Sequence, residues 1–157
     1  KNKAFRNSFN ENKINGVCAI DYLLQCFMDS RALITEIETK LKADGIDDDD
    51  DEKDKSDEED NDEGGDNQEM YKAYLEHKVI SYYISLLIGF LLMNTDNFRY
   101  IASKMDSIAL ISQCLQQFLQ FQQSVNCGSK HTLTVIAKII QIVGLREQTL
   151  KSLRADN

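Results

Sequence analysis

None of the 157 residues is proline. Proline fixes φ, removes a backbone donor and clashes with the preceding turn, so it is the strongest helix breaker. A chain this long without one is free to run in long helices, and its apolar spacing uses that freedom. From about 17 to 42, Val17, Ile20, Leu23, Leu24, Phe27, Leu33, Ile34, Ile37 and Leu41 recur mostly at steps of three and four. That places them on one helix face. Asp29 and Ser30 interrupt the row, and a break would fall there.

From about 68 to 93 two apolar stripes run side by side. Leu75, Val79, Tyr82, Leu86 and Phe90 make one; Ile80, Ile84, Leu87 and Leu91 make the other. A helix apolar on more than one side belongs at the centre of its domain. Ser81, Ser85 and Gly89 form a third stripe of small residues, which predicts a close helix crossing. A short helix is expected over 97–105, capped by Thr95 or Asp96, with Phe98, Ile101 and Met105 packing. Another is expected over 107–125. There Ile108, Ile111, Leu115, Phe118, Leu119 and Val125 face inward, and Gln113, Gln116, Gln117, Gln120 and Gln123 face out. Gly128, free to take positive φ, makes the next turn, and Ser129 caps a last helix over 130–145. Leu133, Ile136, Ile140 and Val143 share its inner face, and 146–157 is a polar tail able to extend the helix before it frays. The β-branched TLTVIAKIIQIV keeps helical steps without alternation, so no strand is expected. The fold class is all-α.

Charge is segregated. From Asp44 to Asp66 there are 15 acids against Lys53 and Lys55, a local charge of about −13 within a chain of net −8. The remainder is therefore mildly basic, at about +5. Between Asp44 and Asn67 the one large apolar residue is Ile46. Such a segment has nothing to bury against the entropy cost of ordering, and 44–67 is expected to be a disordered loop inserted between two helices. Long loops are tolerated, since each doubling of length adds only about 0.6 kcal/mol.

The residues that carry chemistry are sparse. Cys18, Cys26, Cys114 and Cys127 form no CxxC pair, as expected of small buried hydrophobes in a reducing compartment. His77 and His131 have no partners at zinc-ligand spacing. Cys127 and His131 are four apart with no third orienting group. No phosphate loop, GxSxG or HExxH occurs, and the acidic run lacks the order of an EF-hand. No enzyme, metal or cofactor is expected. Basic residues gather loosely at the start (Lys1, Lys3, Arg6, Lys13) and the end (Lys130, Lys138, Arg146, Lys151, Arg154). They admit a nucleic-acid patch, but the tethered acid opposes it, and direct DNA binding ranks low. The longest apolar run, Ile84 to Met93, is about half of what spans a bilayer. A soluble intracellular protein is expected. The chain starts at Lys1 without a methionine and reads as part of a longer protein. Ser56, in DKSDEED, suits an acid-directed kinase, against the plain reading of an unmodified serine.

Three stretches carry a resemblance. AIDYLLQCFMDSRALITEIE resembles a helix of the wings-apart-like (Wapl) family that runs into Arg-Ala, here Arg31-Ala32. EHKVISYYISLLIGFLLMN is similar to the family's following helix, through Glu76, Ile80, Tyr83, Leu86, Leu87 and Gly89. MDSIALISQCLQQFLQFQQSVNCGSKHTLTVIAKII is similar to the segment after it, with Phe118, Leu119 and Phe121. The likeness spans about Val17 to Val143, includes the acidic insert, and departs where the family has leucine-proline and this chain has SKMDS. It implies the C-terminal part of one HEAT/armadillo-like helical domain. It also implies a nuclear, chromatin-associated, non-enzymatic regulator that releases cohesin from chromosomes, with cohesin and its HEAT-repeat regulatory subunit as partners. No contact residue is carried over. The alternatives are a HEAT/armadillo scaffold for another nuclear partner and, third, a nucleic-acid-binding module.

Overall fold

The computed structural model describes residues 13–14, 17–43, 65–126 and 128–155. At its start, β1 (Lys13–Ile14) pairs antiparallel with β2 (Val17–Cys18), Lys13 opposite Cys18 and Ile14 opposite Val17. No strand was expected, because two residues are too few for alternation to register. The sequence between them is Asn15-Gly16, the dipeptide most favoured in two-residue hairpins, so a signal was present.

Helix α1 (Ala19–Ala43) runs unbroken through Asp29 and Ser30. Ser30 is itself buried, so the turns on either side hold it and no break forms. Helix α2 (Gly65–Leu92) begins earlier than expected. Gly65 to Asn67, assigned to the loop, are helical, because extending an existing helix fixes one residue per added bond. The rest of the acidic loop reading, 44–64, lies outside the described residues. Helix α3 (Thr95–Lys104) is capped by neither Thr95 nor Asp96. Asn94 Oδ1 accepts from the amides of Asp96 (2.9 Å) and Asn97 (3.1 Å). Helix α4 spans Ala109–Ser124 and α5 spans Lys130–Ala155, ten residues beyond the expected end. Among the described residues of the turn between them, the left-handed one is Asn126 (φ 54°), a residue type tolerant of that region, and not Gly128. Ser129 does cap α5, its Oγ accepting from the Thr132 amide at 3.1 Å.

The α1–α2 pair is antiparallel. The start of α1 (Ile20, Leu24, Phe27) shares a core with the end of α2 (Ile88, Leu92). The end of α1 (Ile34, Ile37, Leu41) packs with Tyr74, Met70 and Ala73. The α4–α5 pair is antiparallel too: Ser107 and Ile108 meet Glu147, while Gly128 meets Leu133. Helix α2 lies between α1 and the α4–α5 pair, touching α1 on one side and α4 and α5 on the other.

The close crossing falls on the small-residue stripe. Ser81 and Ser85 are wholly buried, each hydroxyl donating to its own helix, to Lys78 O (2.8 Å) and Ser81 O (2.6 Å). A Cβ on Gly89 would fall inside the van der Waals shell of Ile139 Cγ2 and touch Leu115 Cδ1 at 3.4 Å. Each fully buried side chain around it, such as Leu115, Ile139 or Val143, contributes about 1.5–3 kcal/mol.

Candidate functional site

The residues weighed for chemistry stay apart. His77 is half-buried on α2, its Nδ1 without a hydrogen-bond partner, and His131 is exposed at the start of α5. Cys127 and Ser56 lie outside the described residues, so neither the Cys127–His131 pair nor the kinase site is described. Cys18 and Cys26 are partly exposed. Cys114 is buried beside the serine stripe, and burial pushes its thiol up. Among the described residues no three His, Cys, Asp or Glu side chains form a metal-holding group.

The basic residues of the C-terminal end divide. Lys130, Lys138 and Lys151 are exposed, whereas two arginines donate to main-chain carbonyls of other elements. Arg146 donates from Nε to Leu92 O (3.2 Å), where α2 ends, and its guanidinium lies 4.7 Å from the Phe98 ring. Arg154 donates to the carbonyls of Met105 (3.0 Å), Ala102 (3.3 Å) and Asp106, where α3 ends. Glu147 does the converse. Its carboxylate is buried and accepts from the Ile108 amide (2.8 Å) and Ser107 Oγ (2.9 Å), where α4 begins. Helix ends carry unsatisfied carbonyls and amides, and one face of α5 satisfies three of them. Lys1, Lys3 and Arg6 lie outside the described residues.

Two surfaces stand out. The first is a ridge on α2. Ile80, Tyr83, Leu87 and Phe90 are each 45–54% exposed, at the spacing of one helix face. No charged residue occurs between Lys78 and Asp96. Tyr83 stacks obliquely on Phe118 (centroids 5.4 Å apart), and Tyr82 lies 6.1 Å from the half-exposed Phe121, so the apolar surface continues onto α4. Both apolar stripes of this helix were expected inside. Of these, Tyr82 is buried and Ile84, Leu86 and Leu91 are partly buried against the core, but Leu75, Ile80, Leu87 and Phe90 are exposed; the rest of the buried row is Tyr74, Ser81, Ser85, Ile88 and Leu92, centred on the small residues because only they admit α4 and α5 closely. Likewise Val125, expected inward, is exposed, and Gln117, expected outward, is half-buried with Oε1 unpartnered.

The second surface is a groove of about 540 Å³ between the first half of α1 and the α3–α4 junction. Leu24 forms its floor, and Met28, Met105 and Leu110 line it. At one point Tyr100 donates to Asp21 Oδ2 (2.8 Å), and Lys104 lies 3.8 Å from Oδ1. That hydrogen bond to a carboxylate holds the Tyr100 hydroxyl well above its ordinary pKa.

By length and composition, Gln68–Leu92 is apolar enough to cross a membrane, with a third of its most apolar window buried. It is equally the middle helix of an all-α domain, packed between α1 and the α4–α5 pair, and all-α is the class the structure defines. No family model matches the chain, and neither a curated protein nor a solved structure does.

Proposed function

We propose that this chain is a non-enzymatic contact domain that works through the α2 ridge. The observation carrying this reading is an uncharged apolar helix face left half-exposed across Ile80, Tyr83, Leu87 and Phe90, although the same helix is packed on its other sides. A contiguous exposed apolar patch is where a soluble protein meets a partner. The antiparallel pairs α1–α2 and α4–α5 read as two successive hairpins of a HEAT/armadillo-like stack. Three residues of the Wapl-like pattern, Ile80, Tyr83 and Leu87, lie on the ridge. Accordingly, the partner proposed is cohesin with its HEAT-repeat regulatory subunit, and the activity is release of cohesin from chromatin in the nucleus. The alternative is a HEAT/armadillo scaffold for another nuclear protein.

The test uses the chain with purified cohesin carrying its regulatory subunit. Leu87→Asp, at a half-exposed position, should leave circular dichroism unchanged and weaken capture at least ten-fold. Equal capture by both forms would remove the ridge from this role. If the native chain ignores cohesin but retains another nuclear protein in a Leu87-dependent way, the scaffold reading replaces the cohesin one. Leu87-dependent binding to lipid vesicles, without protein capture, would overturn both.

A further inference from the structure

Beside the ridge, a cleft opens between α2 and α4. Leu75, Val79 and Tyr82 of α2 and Gln117 and Phe121 of α4 line a volume of about 420 Å³, within the usual range for a ligand-sized cleft. Leu75 and Val79 also line a shallower recess with Ile80 of the ridge, so cleft and ridge form one continuous surface. We infer that this cleft takes a carboxamide side chain, Gln or Asn, from the partner segment that covers the ridge. The inference rests on the ridge being a contact face.

Two polar groups of the cleft lack partners. Tyr82 is 4% exposed, its ring stacked on Phe118 with centroids 5.4 Å apart. Its hydroxyl makes no hydrogen bond among the described residues, yet the oxygen is not sealed from solvent, so it opens on the cleft that Tyr82 lines. Burial raises its pKa and keeps it an O–H donor. Gln117 Oε1 is sealed from solvent without a donor. A buried acceptor left unpaired is costly. The last torsion of a glutamine side chain is soft, so this amide turns readily toward a donor brought into the cleft.

Those two groups select the occupant by hydrogen-bonding type. A carboxamide gives its NH₂ to Gln117 Oε1 and accepts from the Tyr82 hydroxyl. A carboxylate would set acceptor against acceptor at Gln117, and an alkyl side chain would leave both groups unpaired. Charge does not decide the matter. The charged residue lining the cleft is Lys78. Its ammonium donates to Tyr74 Oη (2.7 Å) and lies 4.7 Å from that ring, and Tyr74 donates to Glu38 (3.2 Å). Lys78 and Glu38 thus balance through Tyr74, and a second cation brought beside Lys78 would be repelled. Phe121, 39% exposed, offers the flat amide an aromatic face. The main-chain amides of a folded partner are spent within its own helices or sheets, which leaves a side chain as the source.

The probe is a phage-displayed library of random dodecapeptides, selected on the intact chain and counter-selected on Gln117→Leu. Gln117→Leu and Tyr82→Phe each remove a polar group that has no partner and keep the bulk, so neither should lower the thermal melt. Selected peptides should carry Gln or Asn near a large apolar residue. As synthetic peptides in fluorescence anisotropy they should lose at least about five-fold in affinity on Gln117→Leu, on Tyr82→Phe, or when their own Gln becomes Glu. Binding should be indifferent to salt, since no ion pair forms. Leu87→Asp should weaken the same peptides, which joins cleft to ridge. Peptides that need Leu87 but ignore Gln117 and Tyr82 would overturn the cleft assignment and spare the ridge. Peptides that need Gln117 and Tyr82 but ignore Leu87 would support the carboxamide site and overturn the ridge reading. Acidic peptides whose affinity falls with salt, or a library yielding nothing that depends on Gln117, would overturn the inference.

Discussion

Single side chains decide how tightly this bundle closes, and two glycines show it. Gly89 and Gly144 both sit inside helices, where glycine is less favourable than alanine by about 0.5–1 kcal/mol. A Cβ at Gly144 meets nothing within 4 Å, whereas at Gly89 it collides with Ile139, a stiff β-branched neighbour. Gly144→Ala should therefore raise stability by about 0.5–1 kcal/mol. Gly89→Ala should lower it by about 1–3 kcal/mol through overpacking. Urea unfolding of the two variants gives the signs, and equal midpoints would refute the close crossing. Glu147 offers the second case. Truncation to alanine strands the buried Ile108 amide, at about 1–3 kcal/mol. Glu147→Gln keeps one oxygen acceptor and should lose less than Glu147→Ala in the same measurement.

Among the elements, α5 does the most joining. Its first half supplies Ile136, Ile139 and Val143 to the core. Its second half, expected to fray, supplies Arg146, Glu147, Arg154 and the buried Leu150. Those residues satisfy the ends of α2, α4 and α3 in turn, so the extension is structural. Ending the chain at Leu145 removes all of them. Burying Leu150 is worth about 1.5–3 kcal/mol, and the lost Glu147 cap about 1–3 kcal/mol more. The shortened chain should be destabilised by more than about 3 kcal/mol, seen in the urea midpoint followed by circular dichroism. A midpoint unchanged by truncation would make the second half of α5 an ornament to the fold.

For the molecule as a whole, the segregated acid governs charge. Deleting residues 47–64 removes 13 acids and two lysines and takes the net charge from −8 to +3. The deleted form should bind a labelled DNA duplex at low salt where the full chain does not. Its affinity should fall steeply between about 50 and 200 mM salt, as counterion release requires. Helical circular dichroism should be retained, because the segment contributes no large apolar side chain. Anisotropy at the two salt concentrations reads the outcome, and DNA binding equal in both forms would show that the acid screens nothing.

Among the described residues, the number and type of the helices were legible in the sequence. Three- and four-residue apolar steps persist over many turns, and no proline interrupts them. The small-residue stripe also predicted the crossing at Ser81, Ser85 and Gly89, since absent bulk is visible without coordinates. The outward face of α2 was not legible. Ile80 and Leu87 are as apolar as Ile88 and Leu92, and only the positions of α1, α4 and α5 decide which pair is covered. Nor was the groove: Leu24 and Met28 on α1 meet Met105 and Leu110 across more than seventy residues of chain. Arg146, Glu147 and Arg154 read as a solvated tail for the same reason. A charged side chain looks free until the helix end that needs its hydrogen bond is brought beside it. Periodicity is local and survives in one dimension; burial, capping at a distance and the surface left over are properties of how helices are placed together.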